Sequence, residues 1–169
     1  MRIAFLGKGG AGKTTTAASF IEYLSHRKKF VLAIDADVNV HLGSSLRITD
    51  SPRELGEEFD QIAEKLKGTR TDLNGRPMIG STPPSLQSVF IEARADDPFI
   101  SQYALRRDNI ALLTVGPYSK SDVGGNCYHS KLSTCTIMLH HLLDSEDDVI
   151  VADTTAGTDN VATSLNLLS

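Results

Sequence analysis

Four short apolar runs punctuate the chain, and each ends at a residue that stops a strand. Residues 2–6 (Arg-Ile-Ala-Phe-Leu) run into Gly7, and residues 30–35 (Phe-Val-Leu-Ala-Ile-Asp) close on an acid. Ile110–Val115 halts at Gly116-Pro117, and residues 148–153 (Asp-Val-Ile-Val-Ala-Asp) again close on an acid. Such unbroken runs predict strands buried on both faces. Between them the period changes. Ala17, Phe20, Ile21 and Leu24 fall at i, i+3, i+4 and i+7, which predicts an amphipathic helix over 14–27. Ser51-Pro52-Arg53-Glu54 carries a capping box with proline in the first turn, opening a helix through Leu55, Phe59, Ile62, Ala63 and Leu66 that Gly68 ends. Leu132, Cys135, Met138, Leu139, Leu142 and Leu143 stripe a further helix across 130–143. Residues 69–109 hold Asn74-Gly75, Pro77, Pro83-Pro84 and Pro98, which predict turns, a hairpin at Asn74-Gly75 and one short helix. The first strand, helix and second strand form a βαβ unit with a right-handed crossover. The fold class is therefore α/β, a mostly parallel sheet flanked by helices, in a single domain spanning 1–169.

Composition narrows the class. The 169 residues suit one domain with a real core, and 40% hydrophobic against 22% charged residues describes a soluble globular chain. Lys+Arg 17 against Asp+Glu 21 leaves a net charge of −4, which argues against a basic face for nucleic acid. No apolar run approaches the ~18 residues of a membrane span, and the opening segment breaks into glycines too early for a signal peptide. Two cysteines, Cys127 and Cys135, make no disulfide framework, so the expected compartment is the reducing cytoplasm. Cys135 lies in a helical stripe and is expected in the core. The adjacent His140 and His141 face different directions on a helix and are expected to be solvated or partly packed. His41 receives no assignment.

The candidate chemistry begins at Gly7-Lys8-Gly9-Gly10-Ala11-Gly12-Lys13-Thr14, which fits G-x-x-x-x-G-K-[ST] between a strand and a helix. Glycines let successive N–H groups converge on phosphate oxygens, and the helix N-terminus adds positive partial charge. Lys13 would reach the β- and γ-phosphates, and the Thr14 hydroxyl would hold Mg²⁺. Lys13 already fills the inside of this cradle, so Lys8 is either solvated or reaches phosphate bound by a facing subunit. Asp35 and Asp37 lie two residues apart at a strand end and share a face. They either orient water and the metal's water shell, or serve as capping acids. Asp153 follows aliphatic residues, as a strand-borne acid aimed at a magnesium shell requires. Cys127 and His129, two apart in a glycine-rich loop, can supply half of a tetrahedral metal site that a symmetric dimer would double, or are ordinary loop residues.

Lys8 to Thr15 resembles the deviant Walker A motif of the MinD/ParA/nitrogenase-iron-protein group of P-loop ATPases. The resemblance implies a P-loop fold, ATP rather than GTP with Mg²⁺ at Gly7, Lys8, Gly9, Gly10, Ala11, Gly12, Lys13, Thr14 and Thr15, and ATP hydrolysis. It also implies an ATP-sandwich homodimer in which Lys8 completes the partner's site. Asp35-Ala36-Asp37 is similar to the group's switch I, with Asp37 positioning water; here Val38-Asn39-Val40-His41 follows where the group more often has proline. Asp35 and Asp153 would hold Mg²⁺ directly or through water. Asp153-Thr154-Thr155-Ala156-Gly157 is similar to switch II, where the Gly157 N–H senses the γ-phosphate. Cys127-Tyr128-His129 resembles the metal-binding loops of the iron protein and of the nickel-insertion ATPases that mature carbon monoxide dehydrogenase. It matches neither, and the metal it implies is Zn²⁺ or Ni²⁺ at a dimer interface. No second cysteine follows Asp153, so an Fe–S cluster is not expected. Members of the group continue past switch II, so the chain is expected to lack the C-terminal part of the usual domain. The implied role is a dimeric switch acting on a client protein in metallocentre maturation or an iron-protein-like task. The alternatives are a ParA- or MinD-type partitioning or positioning ATPase and a non-hydrolysing nucleotide-binding scaffold.

Overall fold

The structure, a computed structural model, describes residues 1–27, 29–117, 128–143 and 149–155, with the backbone alone at 128–130. In chain order the elements are β1 (Arg2–Phe5), α1 (Lys13–His26), β2 (Val31–Ala36), α2 (Leu42–Ser45), α3 (Phe59–Lys67) and β3 (Ile91–Glu92). They continue with α4 (Pro98–Tyr103), β4 (Leu105–Arg107), β5 (Ile110–Thr114), α5 (Tyr128–His140), β6 (Leu142–Leu143) and β7 (Val149–Thr154). Five strands form one sheet in the order β1-β7-β2-β5-β4, parallel except for β4. A separate parallel pair joins β3 to β6.

Residue alternation along the central strands sorts the core into two layers. Val31 and Ala33 of β2, Ile110 and Leu112 of β5, and Val149 and Val151 of β7 pack with Ala17 and Ile21 of α1 and Leu42 of α2. Leu32, Ile34, Ala111, Leu113, Ile150 and Ala152 point the other way, onto Ile62 and Leu66 of α3 and Cys135, Met138 and Leu139 of α5. All six residues of β2 are buried, as an unbroken apolar run between two helical layers requires. Emptying such a position, as in Leu32→Ala, typically costs about 2–5 kcal/mol. By the same period Asp35 and Asp153, paired in register on adjacent strands, fall on the α1 face of the sheet.

Several expectations need correction. β1 is only half-buried, because among the described residues β7 is its one neighbour in the sheet. β7 also separates β1 from β2, so the first βαβ unit straddles a strand supplied by the far end of the chain. No helix begins at Pro52. Glu54 stays extended and bridges Thr114, a 3-10 turn covers Leu55–Glu57, and α3 starts only at Phe59. Backbone pairing to β5, with the Gly56 N–H donating to the Val115 carbonyl, takes precedence over the local cap. Asn74 and Gly75 do turn with positive φ, but no strands flank them, so there is no hairpin. α5 ends at His140, and Leu142 and Leu143 pair with β3 instead of extending it. His141 is fully buried rather than solvated, its Nδ1 bonded to the Ile137 carbonyl at 2.7 Å. Cys135 is buried as expected, and burial pushes its thiol up to about 12.

Candidate nucleotide-binding site

The glycine loop leaves β1, arches from Gly7 to Gly12 and enters α1. Its entry is tied to β7, since Thr154 Oγ1 donates to the Phe5 carbonyl at 3.0 Å. Inside the arch the Ala11 N–H donates to the Lys8 carbonyl at 3.1 Å. Gly12 caps α1 with φ +80°, a left-handed turn that a Cβ would strain, and its side is open to the cleft. Its carbonyl accepts from Thr16 through both N–H and Oγ1, at 2.9 and 2.8 Å, which holds the first turn. The N–H groups opening a helix have no intrahelical acceptor, so this end of α1 faces the cleft as a donor surface.

That cleft measures about 540 Å³. One wall is Gly9, Gly10, Gly12, Lys13, Thr14 and Thr15; the other is Asp37, Val38, Asn39 and His41, with Thr155 beside them. Asp153, wholly buried, has no hydrogen-bond acceptor role filled at either carboxylate oxygen among the described residues. Burial raises its pKa above the usual carboxylate range; the Thr14 hydroxyl and the Lys13 ammonium lie near enough to oppose that rise. Two orphaned, desolvated oxygens beside a hydroxyl suit a hard divalent cation and its waters, so the donor set fits Mg²⁺. Among the described residues no three His, Cys, Asp or Glu side chains converge into a metal cage.

Of the two roles the sequence leaves open for Asp35, the structure shows the capping one. Its Oδ1 accepts from the Asp37 N–H at 3.3 Å and its Oδ2 from the Leu42 N–H at 2.9 Å. Both oxygens are thus spent on the two ends of the 37–42 loop, and Asp35 does not line the cleft. Burial raises its pKa to about 6, with the neighbouring Asp153 and Asp37 carboxylates adding to the rise. Asp37 does face the cleft. Its Oδ1 accepts from Asn39 through the backbone N–H at 2.9 Å and Nδ2 at 3.0 Å, which leaves Oδ2 for a water. Sequence reasoning passes over Asn39, whose two hydrogen bonds hold Asp37, although an Asp-x-Asn turn is a recognisable local signal. Lys8 is exposed, and Lys13 is half-buried beneath Gly7. Cys127 and Gly157 lie outside the described residues. His129 falls in the first turn of α5, and its side chain is likewise outside them.

A glycine loop opening a helix, set against strand-end carboxylates on a mostly parallel sheet, defines the class: an α/β nucleotide-binding protein of the P-loop kind. More specifically, the model of the CobQ/CobB/MinD/ParA nucleotide binding domain (CbiA) matches residues 3–166, and the chain belongs to that family. It is 28% identical over 158 residues to an uncharacterized ATP-binding protein of Methanocaldococcus jannaschii, covering 93% of this chain and 55% of the relative. It is 26% identical over 157 residues to the carbon monoxide dehydrogenase accessory protein CooC of Rhodospirillum rubrum, with the same two coverages. A solved plasmid partition protein from Borrelia burgdorferi aligns with TM-score 0.45 and 22% identity, over 90% of this chain and 54% of that one. The chain thus spans a little over half the length of these relatives. Among the described residues no helix is long and apolar enough to cross a membrane.

Proposed function

We propose that the chain binds and hydrolyses Mg-ATP and works as a nucleotide-dependent dimeric switch on a client protein in metallocentre maturation. The observation that carries the reading is the pair of buried Asp153 oxygens close to the Thr14 hydroxyl and the Lys13 ammonium at the start of α1. The arch amides bind the triphosphate, and Lys13 holds its β- and γ-oxygens. Thr14 directly, and Asp153 directly or through water, would hold Mg²⁺, which when bound withdraws charge from the phosphates. Asp37, steadied by Asn39, accepts a proton-bearing water through Oδ2 and aims it at the terminal phosphorus. Lys8 reaches across to phosphate bound by the second subunit. The 37–42 loop, pinned at both ends by Asp35, relaxes after phosphate release. Similarity to an ATP-binding protein and to CooC supports the nucleotide and the maturation role.

Calorimetry with Mg-ATP should show saturable uptake, and phosphate release should be measurable. Asp37→Asn should abolish most release, by about 10²-fold or more, while uptake persists, as expected for a residue acting in the transition state. Absence of uptake by the folded wild-type chain would overturn the reading.

A further inference from the structure

Residues 37–41 form the wall opposite the glycine arch, and their backbone is shaped to present one side chain. Val40 adopts φ +49°, a left-handed conformation that a β-branched residue rarely takes, within a turn closed by its N–H on the Asp37 carbonyl at 3.2 Å. The next carbonyl, that of His41, is gripped three times: by the Ser45 N–H at 3.1 Å, Ser44 Oγ at 2.9 Å and Ser45 Oγ at 3.0 Å. A strained residue followed by a clamped one fixes where His41 stands. Its imidazole is exposed, caps no backbone N–H and has no hydrogen bond or ion pair of its own among the described residues. It lines the cleft with Lys13, Thr14 and Thr155, and its charge bears on Asp153. Nothing among the described residues uses this ring, yet a strained turn and a clamped carbonyl fix the backbone that carries it.

We infer that His41 donates a hydrogen bond to the terminal phosphate of the bound triphosphate and is the residue by which this chain tells a triphosphate from a diphosphate. The inference rests on the nucleotide reading above. A diphosphate ends nearer the arch, where Lys13 and the loop amides hold it, and gives His41 nothing to grip. A triphosphate extends toward the 37–41 wall. The bond joins the nucleotide to the loop that carries Asp37, so the same contact closes the wall over the reacting phosphate.

The test is equilibrium binding of Mg-AMPPNP and Mg-ADP to the wild-type chain, His41→Ala and His41→Asn at one pH. His41→Ala should weaken AMPPNP about tenfold, the size of one hydrogen bond to a charged group, with ADP unchanged within about twofold. His41→Asn keeps a donor and should recover part of the loss. The ³¹P resonance of the bound γ-phosphate should move in His41→Ala while the α resonance stays. An equal fall for both nucleotides, or no change in either, would overturn the assignment while leaving the nucleotide reading intact. A wild-type chain that binds neither nucleotide would sink both.

Discussion

Gly12 and Gly68 both hold a positive φ, but substitution would punish them differently. A Cβ on Gly12 meets nothing within 4 Å, so Gly12→Ala costs only conformational strain, about 1 kcal/mol. A Cβ on Gly68 would sit 2.5 Å from the Gln87 carbonyl oxygen, a backbone atom held there by the Thr69 N–H at 3.1 Å. Strain and displaced backbone together should lower stability by about 2–4 kcal/mol, read as a shift in urea midpoint well beyond that of Gly12→Ala. Asp35 makes a pH prediction at the same scale. Folding raises its pKa from 3.8 to about 6, so between those values the folded chain holds a proton that the unfolded chain has lost. Stability should therefore fall as pH rises through this window, by up to about 3 kcal/mol. Urea unfolding from pH 4 to 7 should show a steeper fall in stability with rising pH in the wild type than in Asp35→Asn, which keeps the contributions of Asp153 and His141; equal slopes would refute it.

Elements were legible where one local rule decided them and obscure where a distant strand did. The runs 31–36 and 149–154 announce themselves because both faces of the sheet are covered, and the acids closing them mark the ends that meet the cleft. Gly12 and Lys13 read directly as an anion loop because the chemistry needs backbone, not context. Strand order carries no such local mark, so nothing near Asp153 reveals that β7 lies between β1 and β2. The same cause hides the tasks of Asp35 and Glu54, whose partners at Leu42 and Thr114 are set by tertiary pairing. His141 belongs here too. Its carbonyl accepts from the Ile91 N–H at 2.8 Å, joining the end of α5 to β3, while its buried Nε2 has no hydrogen-bond partner among the described residues. Burial is the main cause of its lowered pKa, with Arg70 and His140 adding to it. The unfolded histidine therefore takes a proton first, and stability present above pH 6.5 is lost as pH falls through the folded value. Hydrogen exchange, corrected for its intrinsic rate, should quicken at Ile91 below about pH 6 while Ala33 stays protected. Equal behaviour of the two amides would disprove this local loosening.

At the scale of the molecule the proposed switch would divide one task of the arch's two lysines between two chains. Lys13 lies under Gly7, its Cγ 3.6 Å from where a Cβ would stand, and is committed to the cleft of its own subunit. Lys8 is exposed and finds no acid on its own chain among the described residues. A cation held on the rim of a phosphate cradle, with that cradle's interior already occupied, has its strongest available partner in the phosphates of a second cradle facing it. In the proposed dimer, Coulomb attraction across the closing interface would make association depend on nucleotide, and on triphosphate more than diphosphate. Native mass spectrometry with Mg-AMPPNP should therefore show dimers that ADP does not support. Lys8→Ala should remain monomeric while its uptake of nucleotide as a monomer weakens by less than about threefold, since an exposed charge on the outer rim adds little to its own site. A Lys8→Ala chain that dimerises like the wild type would assign closure to other surfaces and return Lys8 to solvent.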